Sequence, residues 1–427
     1  MLPNMLLIHQ NRPAATPIAD IPQALRSGIA AAAFDPSRFS GQTVGIAVGS
    51  RGIDRIDRIL CALVELIRHA GGTPVLFAAM GCHGEASAQG QREMLRSLGI
   101  AEDTVHAPIR TGAQAVFYGV TASGIPVYGN PLALEFDQLV LVNRIKPHTD
   151  FEDITESGLL KLLAIGVGNP AGCRNVHAHA LRLGYGRVIR ETAAVMLERL
   201  PVVLGIMLTE NWKHQLDRLE AVLPERFPER EQVLLRAVKE QTIRLPAARA
   251  DVLLVGQIGK NISGTGMDTK VIGRIGIIGQ KEPDVPRIGR IVVLDLTEAS
   301  HGNAIGIGLA DLSTMAVHDK INLRATAINA CSSMSPEQGR LPCFLSHDEE
   351  AITAAVETLG LEDPAKARIL YIQDTNALEY LAVSEPLYRD VLSQDPCIQP
   401  LGDPFPLRFD ENGVLLQRWK DGRLSPG

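Results

Sequence analysis

The side chains best suited to chemistry crowd into one stretch, Asn143–His179, which holds His148, Lys161 and His177. It follows Gln138–Val142, an apolar run that reads as a buried parallel strand entering a polar loop. Open α/β sheets bind their ligands beyond the carboxyl ends of such strands. Lys161 stands among leucines in the phrase ESGLLKLLAIGVG. Burial disfavours the charged ammonium and leaves a more nucleophilic amine near neutral pH. A lysine running along a helix edge with its head in water is the plainer reading of the same letters. His148 follows Pro147, whose fixed φ stiffens the approach, and Lys146 and Asp150 lie near enough in sequence to tune its imidazole. His177 and His179, two apart, point to different faces of a helix, which argues against both holding one metal.

Further candidates sit where other strands end. TVGIAVGS (Thr43–Ser50) reads as a strand with Arg51 at its end, and its guanidinium suits a carboxylate or phosphate as well as a structural ion pair. TPVLFAAM reads as the next strand and delivers His83 in GCH. Apolar positions Ile56, Ile59, Leu60, Leu63 and Leu66 make the intervening segment a helix, so Val44–Met80 is a β-α-β unit. DVLLVGQIGK starts a strand anew and places Gln257 and Lys260 at its polar end, an amide and a cation for a carboxylate. The loop GTGMDT can cradle an anion through backbone N–H groups, but its glycines lack dinucleotide spacing, and no phosphate-binding or H-E-x-x-H motif occurs. Glu152, Asp153 and Glu156 read first as a solvated acidic loop, with contacts at the mouth of the site as the alternative.

These elements imply an α/β protein of two α/β domains, with mostly parallel, Rossmann-like sheets and an active site in the cleft between them. Residues 1–215 form the N-terminal domain in this reading. The charged helical pattern of 216–248 is a connector, and 249–427 form a second α/β domain that closes the cleft. A helix is expected over Leu181–Arg199, and the Pro-rich tail Pro396–Gly427 is expected to pack over a domain. With 427 residues, two domains are the default. A net charge of −6 without a long Lys/Arg run argues against nucleic-acid binding. The start MLPNMLLIHQ lacks the pattern of a signal peptide, and no apolar run is long enough for a bilayer, so no membrane role and a cytoplasmic location are expected. Six scattered cysteines, without a CxxC pair, fit a reducing compartment; Cys82 and Cys173 lie near histidines of interest but read as inert thiols outside the site.

In their order along the chain, Arg51, GCH, the T-x-x-G-x-P-V segment Thr121–Val127, Pro147–His148, Lys161, His177 and QIGK resemble the nickel-dependent lactate racemase (LarA-like) family over most of the sequence. The sixteen-residue interval from Lys161 to His177 agrees with that resemblance. It implies a racemase or epimerase of a 2-hydroxy acid that works by hydride transfer through a 2-keto intermediate. The implied cofactor is a nickel pincer nucleotide, pyridinium-3,5-bisthiocarboxylic acid mononucleotide nickel. Lys161 would tether it and His177 would ligate its nickel. His83 and His148 would be the paired acid/base catalysts. Arg51, Gln257 and Lys260 would bind the substrate carboxylate, with Arg51 and Lys260 also stabilising developing charge. The implied partners are the small-molecule substrate and the proteins that make the cofactor, and a homo-oligomer is compatible. The sequence departs from lactate-linked members at VGSRGID around Arg51 and at ESGLLK, which points to a pocket for a bulkier or more polar 2-hydroxy acid. Two rival classes use the same residues: a hydrolase or lyase with His83, His148 and His177 around zinc or iron, and a non-catalytic member of the fold.

Overall fold

The computed structural model describes residues 2–425, which divide into two α/β units. One holds 14–148 and 152–242; the other holds 2–13, 149–151 and 243–425. The first strand, β1 (Met5–Gln10), belongs to the second of these.

Apolar runs that are buried on both faces make the parallel strands of the first unit. They are β2 (Thr43–Val48), β3 (Thr73–Ala78), β4 (Ile109–Arg110), β7 (Gln138–Arg144) and β8 (Val202–Glu210). Between β4 and β7 a separate antiparallel hairpin, β5 (Val116–Val120) and β6 (Pro126–Gly129), turns at TASG as its letters suggest. A last strand, β9 (Leu216–Val222), pairs antiparallel with β8, and the sheet order is β4-β3-β2-β7-β8-β9. The chain leaves β2 towards β3 on one side and returns to β7 on the other, pairing parallel with both. The connections beyond the carboxyl ends of β2 and β7 therefore run to opposite sides, and such a switch point is the usual ligand position in these sheets. One face of the sheet is sealed by the helices Ile21–Ala31 and Ile56–His69, whose Leu25, Ile29, Ile59, Leu63 and Ile67 join Val44, Ile46 and Val140 in one core.

In the second unit β10 (Arg249–Val255) pairs parallel with β11 (Arg287–Val293) and with β14 (Ile369–Ile372). Its eight-stranded sheet also takes β12 (Leu312–Thr314), β13 (Cys343–Leu345), β15 (Tyr380–Ser384) and β16 (Ile398–Phe405), in the order β13-β12-β11-β10-β14-β15-β1-β16. The last three pairings are antiparallel.

The chain is thus distributed differently from the boundaries 1–215, 216–248 and 249–427. The segment 216–242 is no free-standing connector. Leu216, Leu219, Ala221 and Val222 of β9 are buried, and Phe227, Glu231, Leu234 and Leu235 bury one face of the helix Phe227–Gln241 in the first unit. Its charges occupy the solvent faces of two amphipathic elements, which a charge count alone reads as linker. The helix expected over Leu181–Arg199 begins earlier and breaks at Gly184, whose φ of +84° separates Asn169–Leu183 from Tyr185–Arg199. The tail contributes β16, which covers the outer edge of β1.

Candidate active site

Four loops and helices of the first unit bring most of the predicted residues to the ends of β2, β3 and β7. Arg51 lies exposed just beyond β2, and His83 lies in the turn after β3. A hydrogen bond between His83 Nδ1 and Ser50 Oγ joins these two loops. Beyond β7 the chain passes Lys146 and His148 and returns through a bridge between Lys146 and Ser157. Asn143 Nδ2 donates to the Gly158 carbonyl at 2.7 Å, tying the strand end to the turn that carries Lys161.

Lys161 closes the short helix Leu159–Lys161 and enters a π-turn, Leu162–Val167. Such turns widen the backbone and recur at functional sites. Asn169, at φ +53°, then redirects the chain into the helix Asn169–Leu183; its amide is anchored on the carbonyls of Gly112 at 2.8 Å and Gln114 at 2.7 Å. His177 projects from that helix beside Tyr185, with Nδ1 3.1 Å from the phenol oxygen and the rings edge to face. Burial pushes its pKa down to about 4 and the positive charge of Lys161 adds to the effect, so the two side chains sense each other. The imidazole is neutral at physiological pH, and with Nδ1 engaged by Tyr185 its Nε2 is the nitrogen left to coordinate.

Arg51 also acts on its surroundings. It helps to lower Cys82, and it adds to the burial that brings Arg144 down to about 10. Arg144 is ion-paired with Glu210, whose other oxygen accepts from the Asp54 N–H at 2.8 Å. The Arg51 charge is thus felt at Arg144, and positive potential of this kind suits an anion.

Several contributors escaped the sequence reading. Glu156, read as part of a solvated loop, has a fully buried side chain. It accepts from the His148 N–H and from the Asp153 N–H at 3.3 Å, and pairs with Lys239. Glu231 is buried as well and accepts from the Leu160 N–H at 2.9 Å, one residue before Lys161. Both interactions come from the helix Phe227–Gln241, which thereby braces the Lys161 turn and the His148 loop. The only signal in the letters was an acidic residue on the apolar face of a helix. Cys173 and Cys82 also meet, with their sulfurs 3.4 Å apart.

Gln257 and Lys260 belong to the other unit, at the carboxyl end of β10. Gln257 Nε2 donates to Asp374 at 3.2 Å, and Lys260 Nζ donates to the Gly264 carbonyl at 2.7 Å. Among the described residues, no group of three or more His, Cys, Asp and Glu is placed to hold a metal ion, so the three-histidine zinc or iron site gains no support. A single neutral imidazole under the influence of a lysine fits a group that brings its remaining metal ligands with it.

Residues 2–184 match the model of the lactate racemase N-terminal domain. Over that stretch the chain is similar to the N-terminal domain of lactate racemases. The lactate racemase apoprotein from Thermoanaerobacterium thermosaccharolyticum superposes with a TM-score of 0.51 over 91% of this chain and 92% of that one, at 11% identity, a likeness of fold. No curated protein matches the sequence. Among the described residues no helix is long and apolar enough to cross a membrane.

Proposed function

We propose that this chain is a racemase or epimerase of a 2-hydroxy acid, with Lys161 and His177 holding a nickel pincer nucleotide. The observation that carries the reading is the neutral His177 held under the influence of Lys161, in the same group of loops as Arg51 and His83. Lys161 would provide the covalent tether through its amine and His177 Nε2 the protein's one nickel ligand. When bound, that group supplies an acceptor and donor of hydride for the substrate's C2.

The chain's own residues then handle the proton and the charge. Arg51 binds the carboxylate, fixing the orientation of C2. In the tautomer in which His83 Nδ1–H donates to Ser50, Nε2 is the basic nitrogen and takes the hydroxyl proton from one enantiomer. His148 serves the other enantiomer, its backbone set by Glu156. Two bases are needed because the enantiomers present their hydroxyls differently to one bound carboxylate. The assignment of Gln257 and Lys260 to the carboxylate and the developing charge belongs to the same proposal. The resemblance to lactate racemases and the positive charge of Arg51, felt at Arg144, both support a carboxylate substrate. Conversion of a C2-deuterated 2-hydroxy acid in ordinary water tests the mechanism. Hydride transfer returns the label to C2 of the opposite enantiomer, whereas exchange of the label for solvent hydrogen would rule the mechanism out.

A further inference from the structure

The proposed reaction has no use for the two cysteines beside it, yet their arrangement is specific. Cys82 lies exposed in the turn after β3, immediately before His83, and Cys173 is buried on the helix Asn169–Leu183, one turn before His177. The Cys173 thiol donates to the Cys82 sulfur across 3.4 Å. The two backbones also come close, since a Cβ built on Gly81 would stand 3.4 Å from the Cys173 Cβ. The four other cysteines, Cys61, Cys331, Cys343 and Cys397, have no such neighbour among the described residues.

We propose that Cys82 and Cys173 form a peroxide-reactive dithiol that closes to a disulfide at the mouth of the site. The assignment of roles follows from exposure: Cys82 meets the oxidant and Cys173 resolves. Hydrogen bonding from Cys173 brings the Cys82 thiol down to about 6, helped by Arg174 and Arg51, while Cys173 is held above the usual thiol range by its bond to Cys82 and by burial. The Cys82 thiolate attacks one oxygen of a hydroperoxide, the O–O bond breaks, and the leaving oxygen departs as water after taking a proton. The resulting sulfenic acid is attacked by the Cys173 sulfur; the S–S bond forms, the S–O bond breaks, and the hydroxyl leaves as water with the Cys173 proton. Two thiols lose two electrons in all, and hydrogen peroxide becomes two waters.

Closure requires the sulfurs to approach from 3.4 Å to about 2 Å. Cys173 is fixed on a packed helix, so the turn that carries Cys82 must move, and His83 with its bond to Ser50 moves with it. If the racemase reading holds, oxidation therefore silences the enzyme reversibly. The thiol chemistry itself is independent of that reading.

The test is titration of the intact, reduced protein with hydrogen peroxide, followed by alkylation and peptide mass mapping. The expected result is a loss of 2 Da, a fall from six alkylatable thiols to four, and a Cys82–Cys173 cross-linked peptide that dithiothreitol reverses. In Cys173→Ser, Cys82 should accumulate as a sulfenic acid trapped by dimedone, with the other exposed cysteines unlabelled. Six thiols remaining, a cross-link between other cysteines, or equal labelling of Cys331 and Cys82 would each overturn the proposal, whatever the substrate proves to be.

Discussion

Replacing Glu231 by glutamine tests how the Lys161 turn is held. Glu231 is 2% exposed and accepts from Leu160 N–H, so its side chain caps the short helix that ends in Lys161. Burial raises its pKa from 4.5 to about 7, against the opposing pull of the Leu160 and Leu159 amides. Between those two values the folded protein keeps a proton that the unfolded chain has released. Stability therefore falls as pH rises from 4.5 to 7 and levels off above. At 1.36 kcal/mol per pKa unit the cost amounts to about 3 kcal/mol, most of it between pH 5 and 8. Glutamine does not titrate, and its Oε1 can still accept from Leu160. Denaturant unfolding of wild type and Glu231→Gln at pH 5 and pH 8 gives the assay. Every other group, including the depressed His177 whose own contribution grows with pH, cancels in the difference between the two proteins. The wild type should lose roughly 2–3 kcal/mol more than the variant over this range. Equal pH dependence in the two proteins would refute a buried carboxyl cap.

Two further outcomes follow from neighbouring contacts. A Cβ on Gly158 would stand 2.5–2.8 Å from the Glu231 carboxyl, so Gly158→Ala should destabilise by about 2 kcal/mol or more in chemical denaturation; a neutral effect would mean that the cap tolerates displacement. Because the His177 pKa is pushed down to about 4, nickel retention by protein carrying the cofactor should stay constant from pH 8 to pH 5, as followed by metal analysis after dialysis. Loss of nickel with a midpoint near 6.5 would show an ordinary, exposed imidazole.

Much of this architecture is written locally. β2, β7, β8 and β10 are runs of apolar residues ending in polar loops, and the candidate site residues lie beyond such ends. Arg51 and His83 were placed by this rule, and the interval from Lys161 to His177 by family resemblance. What the letters hid depends on distant partners. Met5–Gln10 has no strand near it in sequence to pair with, and its place is set by β15 and β16, more than 370 residues away. The Cys82–Cys173 pair and the Glu231 cap span 91 and 71 residues, beyond the reach of any spacing rule. Glu156 looks like one of several loop acids until Lys239 and the His148 N–H close around it. Local sequence specifies elements, whereas these contacts exist only once the sheet has brought its loops together.

The central claim concerns Lys161, and its most direct test is the mass of the Lys161 peptide, together with nickel content, in active protein purified from its own host. An adduct of several hundred daltons on Lys161 with one nickel per chain is the predicted result, and it should vanish in Lys161→Ala together with turnover. Active host-purified protein with an unmodified Lys161 would contradict the account.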